Sequence, residues 1–276
     1  MARPNIAMLN MPPLAYRPDR RAQDFESRRA SEDEDQLRAN RLKKFATVND
    51  GALGERAVGL ANLLQQSQTG NPPDTPASKL YMRDQRIRIF GQLWKLINEG
   101  DEERVSTFTV VKRDWLKFFS DLDQFDPATL KNAFRTDLYR CGAAGASGWL
   151  FCAWDCEFHP ALQCYQPHIH GVAAGGMIDV LDTLRDKRGY KAWDNSATVP
   201  GCATPVRISR QTLTNMPSCL SYILKGFWKV KVGDQTRRIA EPFGSSSLLQ
   251  IHMYHLKQLT MLLKLSIVNG ELVTSS

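Results

Sequence analysis

Two alternating, β-rich stretches lie six residues apart, and that spacing constrains the fold more than any other feature of the chain. Trp149 to Phe158 and Tyr165 to Ala174 each read as a strand, and the joint His159-Pro160-Ala161-Leu162-Gln163-Cys164 is short enough for a hairpin of antiparallel neighbours. On a strand, residues two apart share a face. Trp149, Phe151, Ala153, Asp155 and Glu157 therefore share one face of the first strand, and Cys152, Trp154 and Cys156 the other. On the second strand, Pro167-His168-Ile169-His170 places two imidazoles on a common face. If that face also carries Asp155 and Glu157, two histidines and a carboxylate converge. Three protein ligands with open positions suit Mg²⁺ or Mn²⁺, and the same set is able to take Zn²⁺ or Ni²⁺.

The remaining pattern is helical before this hairpin and mixed around it. Residues 1–35, broken by Pro4, Pro12, Pro13 and Pro18 and then by alternating charges, read as a mobile arm. Residues 36–78 read as one or two helices followed by the Pro-rich linker QTGNPPDTPAS. Leu80, Ile87, Phe90, Leu93, Trp94 and Ile97 form an apolar stripe that predicts a helix over Lys79 to Asn98. Its arginines, Arg83, Arg86 and Arg88, make a basic face that is either solvated or turned to phosphates. Val105 to Val111 alternates and is β-branched, hence a strand; Val206 to Ser209 is a brief one. Helices are predicted over Trp115 to Phe125, Pro127 to Cys141 (capped by Asp126), Ile178 to Lys187, Pro217 to Trp228 and Leu248 to Leu265. The sum is an α+β protein with a central antiparallel sheet, helices on its faces and a helical N-terminal extension. The main domain spans 79–265, and 266–276 reads as a tail.

Composition narrows the function classes only slightly. No apolar run approaches the ~18 residues of a membrane span, and the first residues lack the apolar core of a secretory signal. The six cysteines, Cys141, Cys152, Cys156, Cys164, Cys202 and Cys219, are then expected as reduced thiols in a cytoplasmic protein. The net charge of +7 leans weakly toward a polyanionic partner.

A second chemical element is Ser221-Tyr222-Ile223-Leu224-Lys225. On a helix Tyr222 and Lys225 would project together. A nearby cation and ammonium would favour the phenolate and stabilise charge on an attacked phosphate.

In this order, three stretches resemble the motifs of the HUH endonucleases, specifically the rolling-circle replication initiators of plasmids. Ser106-Thr107-Phe108-Thr109-Val110 is similar to the first motif, Pro167-His168-Ile169-His170-Gly171-Val172 to the second, and Tyr222-x-x-Lys225 to the third. The likeness covers about Val105 to Lys231. It implies an HUH-type, RRM-like sheet and a metal-dependent nicking and joining enzyme. In that reaction Tyr222 attacks a phosphodiester of single-stranded or hairpin origin DNA, keeps the 5′ phosphate and releases a 3′-OH. The resemblance further implies that His168, His170 and either Asp155 or Glu157 hold a divalent ion, Mg²⁺ or Mn²⁺, while Lys225 helps neutralise the phosphate. A host helicase and polymerase would then be partners, with no membrane involved. Where many plasmid initiators carry a Glu one turn before the tyrosine, this chain has Ser218.

Other readings stand beside this one. A transposase of the same superfamily shares the chemistry, and a decayed fold would leave a non-catalytic DNA binder. Cys152, Cys156, His159, Cys164, His168 and His170 lie close enough in sequence to raise a structural zinc site, although the strand pattern turns Cys152 and Cys156 away. Tyr254-His255-Leu256-Lys257 repeats the Tyr-x-x-Lys spacing, and Trp115, Trp149, Trp154, Trp193 and Trp228 are either core residues or platforms for bases.

Overall fold

The computed structural model describes residues 5–69, 73–101, 104–191, 204–211, 213–225, 228–232 and 235–275. It is α+β, built on a mostly antiparallel sheet. Helices α1 (Arg28–Ala46), α2 (Ala52–Gln65) and α3 (Lys79–Glu99) precede the sheet. Strands β1 (Val105–Val111), β2 (Lys117–Phe118), β3 (Leu150–His159), β4 (Cys164–Ala174), β5 (Val206–Ile208), β6 (Lys229–Val232) and β7 (Gln235–Arg237) follow, with α4 (Pro127–Arg140) before β3 and α5 (Met177–Arg185) after β4. The chain ends through α6 (Phe243–His252), α7 (Leu256–Leu259), β8 (Thr260–Leu263) and a hairpin of β9 (Leu265–Val268) and β10 (Glu271–Thr274).

The strand order is β5-β1-β4-β3-β6-β7, with β2 also on β4 and β8 also on β3. Among the described strands only β3 and β6 pair in parallel. Both faces of the sheet are covered. On one face Cys152, Trp154 and Ile169 pack with Phe134 and Leu138 of α4 and Leu181 of α5; on the other Phe151, Ala153 and Val172 pack with Ile87, Phe90 and Leu93 of α3. With apolar groups on both faces, hydrophobicity alone does not set the β1–β4 register. Shape does: Gly171 lies opposite Phe108, and a Cβ at Gly171 would sit 2.4 Å from the Phe108 ring. Pro167 is accommodated because β4's outer edge has no ladder partner there, between the end of β1 at His168 and the start of β2 at Tyr165.

Several segments differ from the sequence reading. The described part of the expected mobile arm runs as three 3-10 turns and then enters α1, with Ile6, Leu9, Ala22 and Phe25 buried beside α3. Gly91 makes room for this segment, since a Cβ there would come within 2.3 Å of Pro12 and 2.5 Å of the Tyr16 carbonyl. The basic face of α3 faces protein. Arg83 pairs with Asp19, Arg86 with Glu26, and Arg88 donates to the Leu9 carbonyl. All three guanidiniums are thus engaged by acceptors of the N-terminal segment. The described end of the Pro-rich linker is likewise packed, with Thr75, Ala77 and Ser78 buried. The expected C-terminal tail is the β9–β10 hairpin, whose turn accepts two hydrogen bonds from Asn10. Trp115 to Phe125 is two 3-10 turns around β2, and the helix expected over Leu248 to Leu265 gives way to α7 and β8. Cys202 and Trp193 lie outside the described residues.

Candidate metal centre

The β3–β4 hairpin sets Asp155 directly opposite His168, and His170 lies one pleat further along the same face. This is the face that packs under α3. The Nε2 atoms of His168 and His170 are 3.0 Å apart, and they lie 3.8 and 4.0 Å from Asp155 Oδ2. Asp155 and His168 are buried and His170 is partly so. One donor atom from each of the three residues lies within 4.8 Å of the others, close enough to hold a metal ion. Among the described residues no other group of His, Cys, Asp or Glu does so.

Hydrogen bonding around the group leaves one inner atom, Asp155 Oδ2, without a partner. Asp155 Oδ1 accepts from the Cys156 amide at 2.8 Å, whereas Oδ2 is buried and has no hydrogen-bond partner. A carboxylate oxygen without a partner in a buried site is costly unless a cation or donor meets it. His168 Nδ1 lies 3.1 Å from the Gln166 carbonyl, which can only accept, so Nδ1 carries the proton and Nε2 presents its lone pair. His170 Nδ1 lies 2.9 Å from Thr109 Oγ1 on β1. If that hydroxyl donates, His170 gives its Nε2 proton to His168; if it accepts, both Nε2 lone pairs face inward, as two metal ligands must. Thr109 serves either arrangement because a hydroxyl does both. The donor set of two imidazoles and one carboxylate fits a divalent ion with open positions.

The surroundings are cationic. Burial, followed by the neighbouring His168 imidazole and the positive charges of Lys225, Lys229 and Arg207, pushes the His170 imidazole well below its ordinary value, so it is neutral at pH 7. Burial and contact with Lys229 bring Lys225 down to about 8, while Asp155 pulls the other way. Lys229 is itself buried on β6, beside Glu157 in the parallel β3–β6 register.

Tyr222 and Lys225 do meet, though not on a helix. A 3-10 turn covers Ser218–Tyr222, Ile223 is extended, and Leu224 takes a left-handed φ of 56°. That conformation is unfavourable for a non-glycine residue by roughly 1–2 kcal/mol. It is held by the burial of Leu220, Ile223 and Leu224 under α3. The turn lays the Lys225 ammonium 4.1 Å over the Tyr222 ring, and Lys225 in turn feels Asp155 and His170. Tyr222 is 57% exposed, so its hydroxyl is reachable from solvent.

The structure separates the other candidates. Glu157 is not in the three-residue group; Gln166 lies opposite it. Tyr254 packs on the α4 face with its buried hydroxyl hydrogen-bonded to the Phe125 carbonyl. The five described cysteines are free thiols and none joins a metal-capable group, which leaves the structural zinc reading without a site among the described residues.

Two residues beyond the sequence motifs shape the centre. Arg86 donates from Nη2 to the Ser221 carbonyl at 2.8 Å and from Nη1 to both oxygens of Glu26. The N-terminal extension is thereby tied to the peptide just before Tyr222. Lys229 supplies a second ammonium beside Lys225. Sequence gave no signal for the Arg86 contact, because its partners lie 60 and 135 residues away. No protein-family model, curated protein or solved structure matches this chain. Among the described residues no helix is long and apolar enough to cross a membrane.

Proposed function

We propose that the chain is an HUH-type, metal-dependent enzyme that nicks and rejoins single-stranded DNA, in the manner of a rolling-circle replication initiator. The observation that carries this reading is the partnerless Asp155 Oδ2 facing the Nε2 atoms of His168 and His170, with an ammonium, Lys225, that feels the Asp155 charge and lies over the ring of an exposed tyrosine. Asp155, His168 and His170 would hold the ion, Mg²⁺ or Mn²⁺, whose contribution when bound is to polarise the scissile phosphate. Tyr222 Oη forms a bond to phosphorus and the bond to the 3′-oxygen breaks. One proton leaves the phenol and one joins the departing 3′-oxygen, so the 5′ phosphate stays on Tyr222 and a 3′-OH is released. Lys225 and Lys229 offset the negative charge that builds on the phosphate. Arg86 holds the Ser221 carbonyl and so fixes the approach of the tyrosine.

The test is formation of a covalent adduct. Labelled single-stranded DNA carrying the cognate origin, incubated with protein and Mn²⁺, gives a protein–DNA band that survives denaturation. Tyr222→Phe abolishes the band and His168→Ala reduces it by orders of magnitude. An adduct retained in Tyr222→Phe eliminates Tyr222 as the nucleophile.

A further inference from the structure

A cavity of about 560 Å³ opens between α1, α6 and the segments that flank β6 and β7. Its size falls within the ~300–1,000 Å³ of small-molecule sites. Arg38, Arg41, Lys79, Arg238 and Glu34 line its walls; Arg38 and Arg238 pair with Glu34, Arg41 with Glu241 and Lys79 with Glu26, which leaves a small positive excess. Arg41 is held from behind by Glu241 and the Ile239 carbonyl, and Arg238 reaches Glu34 through Nη2. Both guanidiniums are thus oriented while retaining N–H groups beyond those bonds. Trp228 forms an aromatic part of the wall. Phe125 and Tyr165 pack against it at 77° and 55°, so neither lies parallel to its ring, and the indole stays half-buried. Leu248 adds an apolar surface.

An aromatic and an aliphatic lining residue, Trp228 and Leu248, beside oriented guanidiniums match a ligand with an aromatic ring and a phosphate. The cavity also adjoins the segment that carries the tyrosine. Trp228 follows Lys225 by three residues, and Lys79 contacts Glu26, which holds Arg86 against Ser221. We propose that this cavity binds one nucleotide unit of the DNA strand, with its phosphate on Arg41 and Arg238 and its base against Trp228. The assignment to a strand rests on the nicking function proposed above; the nucleotide chemistry of the cavity does not. It gives the N-terminal helices a direct role in holding substrate, since α1 supplies Arg38 and Arg41.

The same chemistry would accept a free nucleotide, and the experiment has an arm for each source. In the first, dAMP and dTMP are titrated into the full chain by calorimetry. Binding is expected, weakened roughly tenfold in Trp228→Ala, as for loss of one base–aromatic stack, and by a similar factor in Arg238→Ala. Arg238 is largely exposed, so that variant keeps the test open if Trp228→Ala fails to fold. Unchanged affinity in Arg238→Ala, or no mononucleotide binding by the wild type, overturns the site. In the second arm, a 15-nucleotide strand is scanned with single abasic positions by fluorescence anisotropy. One position is expected to lose about tenfold in affinity for the wild type and nothing for Trp228→Ala. If mononucleotides bind but no abasic position is sensitive to Trp228, the cavity takes a free nucleotide and the strand assignment is overturned. His168→Ala is expected to bind mononucleotides like the wild type, so loss of nicking and loss of the cavity's ligand read out separately.

Discussion

Glu26 lies where the N-terminal extension meets the candidate site, and its energetic weight can be worked out. Its carboxylate accepts from Arg86 Nη1 at 2.7 and 2.8 Å and lies 2.7 Å from the Lys79 ammonium. Burial alone would raise its pKa, but the charges of Arg86 and Lys79 outweigh that and bring the carboxyl from 4.5 down to about 2. The difference, 4.5 − 2, is about 2.5 units; at ~1.36 kcal/mol per unit this is roughly 3 kcal/mol. Because the folded protein has the lower value, the contribution is complete above about pH 4.5 and is lost as pH falls toward 2. Lys79 runs the opposite way: burial first, then Arg86, push its ammonium down to about 8. Two cations therefore share one carboxylate, and the Lys79 titration falls outside the acid window. Glu26→Gln should lower the unfolding free energy by about 3 kcal/mol at pH 7, measured by urea titration. The gap between the two proteins should then narrow by roughly 1.4 kcal/mol per unit below pH 4.5. Other carboxylates titrate in both proteins and cancel in the difference. A gap of the same size at pH 7 and pH 3.5 would refute the electrostatic account of Glu26.

Three further outcomes are expected. Asp155→Asn should lower Mn²⁺ affinity at least a hundredfold by calorimetry, because it neutralises the only carboxylate in the group, whereas Glu157→Gln should leave affinity within about twofold. Thr109→Val deprives His170 Nδ1 of its partner and should weaken Mn²⁺ binding by roughly 10–100-fold with the fold intact by circular dichroism. Gly91→Ala places a Cβ 2.3 Å from Pro12, so it should destabilise by roughly 1–3 kcal/mol and speed tryptic cleavage near Arg20 and Arg21.

The sheet and the metal-capable group were legible because period-two alternation and a short joint fix side-chain directions over ten residues. That Asp155 and Glu157 share one face of their strand, and His168 and His170 one face of theirs, follows from that arithmetic, and so does the exclusion of Cys152 and Cys156 from the carboxylates' face. The choice of Asp155 over Glu157 did not follow, since both share the face; it depends on which of them lies opposite His168. Around Tyr222 the spacing suggested a helix, and the chain instead turns at Leu224. No local propensity predicts a left-handed leucine; burial of its neighbours overrides the backbone preference. The packing of the described part of the N-terminal arm is hidden in the sequence for a related reason. Its buried residues, Ile6, Leu9, Ala22 and Phe25, are sparse and aperiodic, and the groove that receives them is made by α3 much later in the chain.

The two partners that share the second edge of β3 have a consequence for the order of assembly. β4 follows β3 at once, but the other edge waits for β6, paired at Glu157 and Phe158, and for β8, paired from Leu150 to Ala153. During synthesis from the N-terminus, β3 and β4 can close as a local hairpin, with Asp155, His168 and His170 already side by side. The Glu157–Phe158 end of that edge waits for Lys229 and the Leu150–Ala153 end for Thr260, and loop closure over those distances slows pairing. Convergence of Asp155, His168 and His170 thus needs only the local hairpin, whereas enclosure of the group depends on strands much later in the chain. A ribosome-stalled chain ending near residue 180 would contain Asp155, His168 and His170 while lacking Tyr222 altogether.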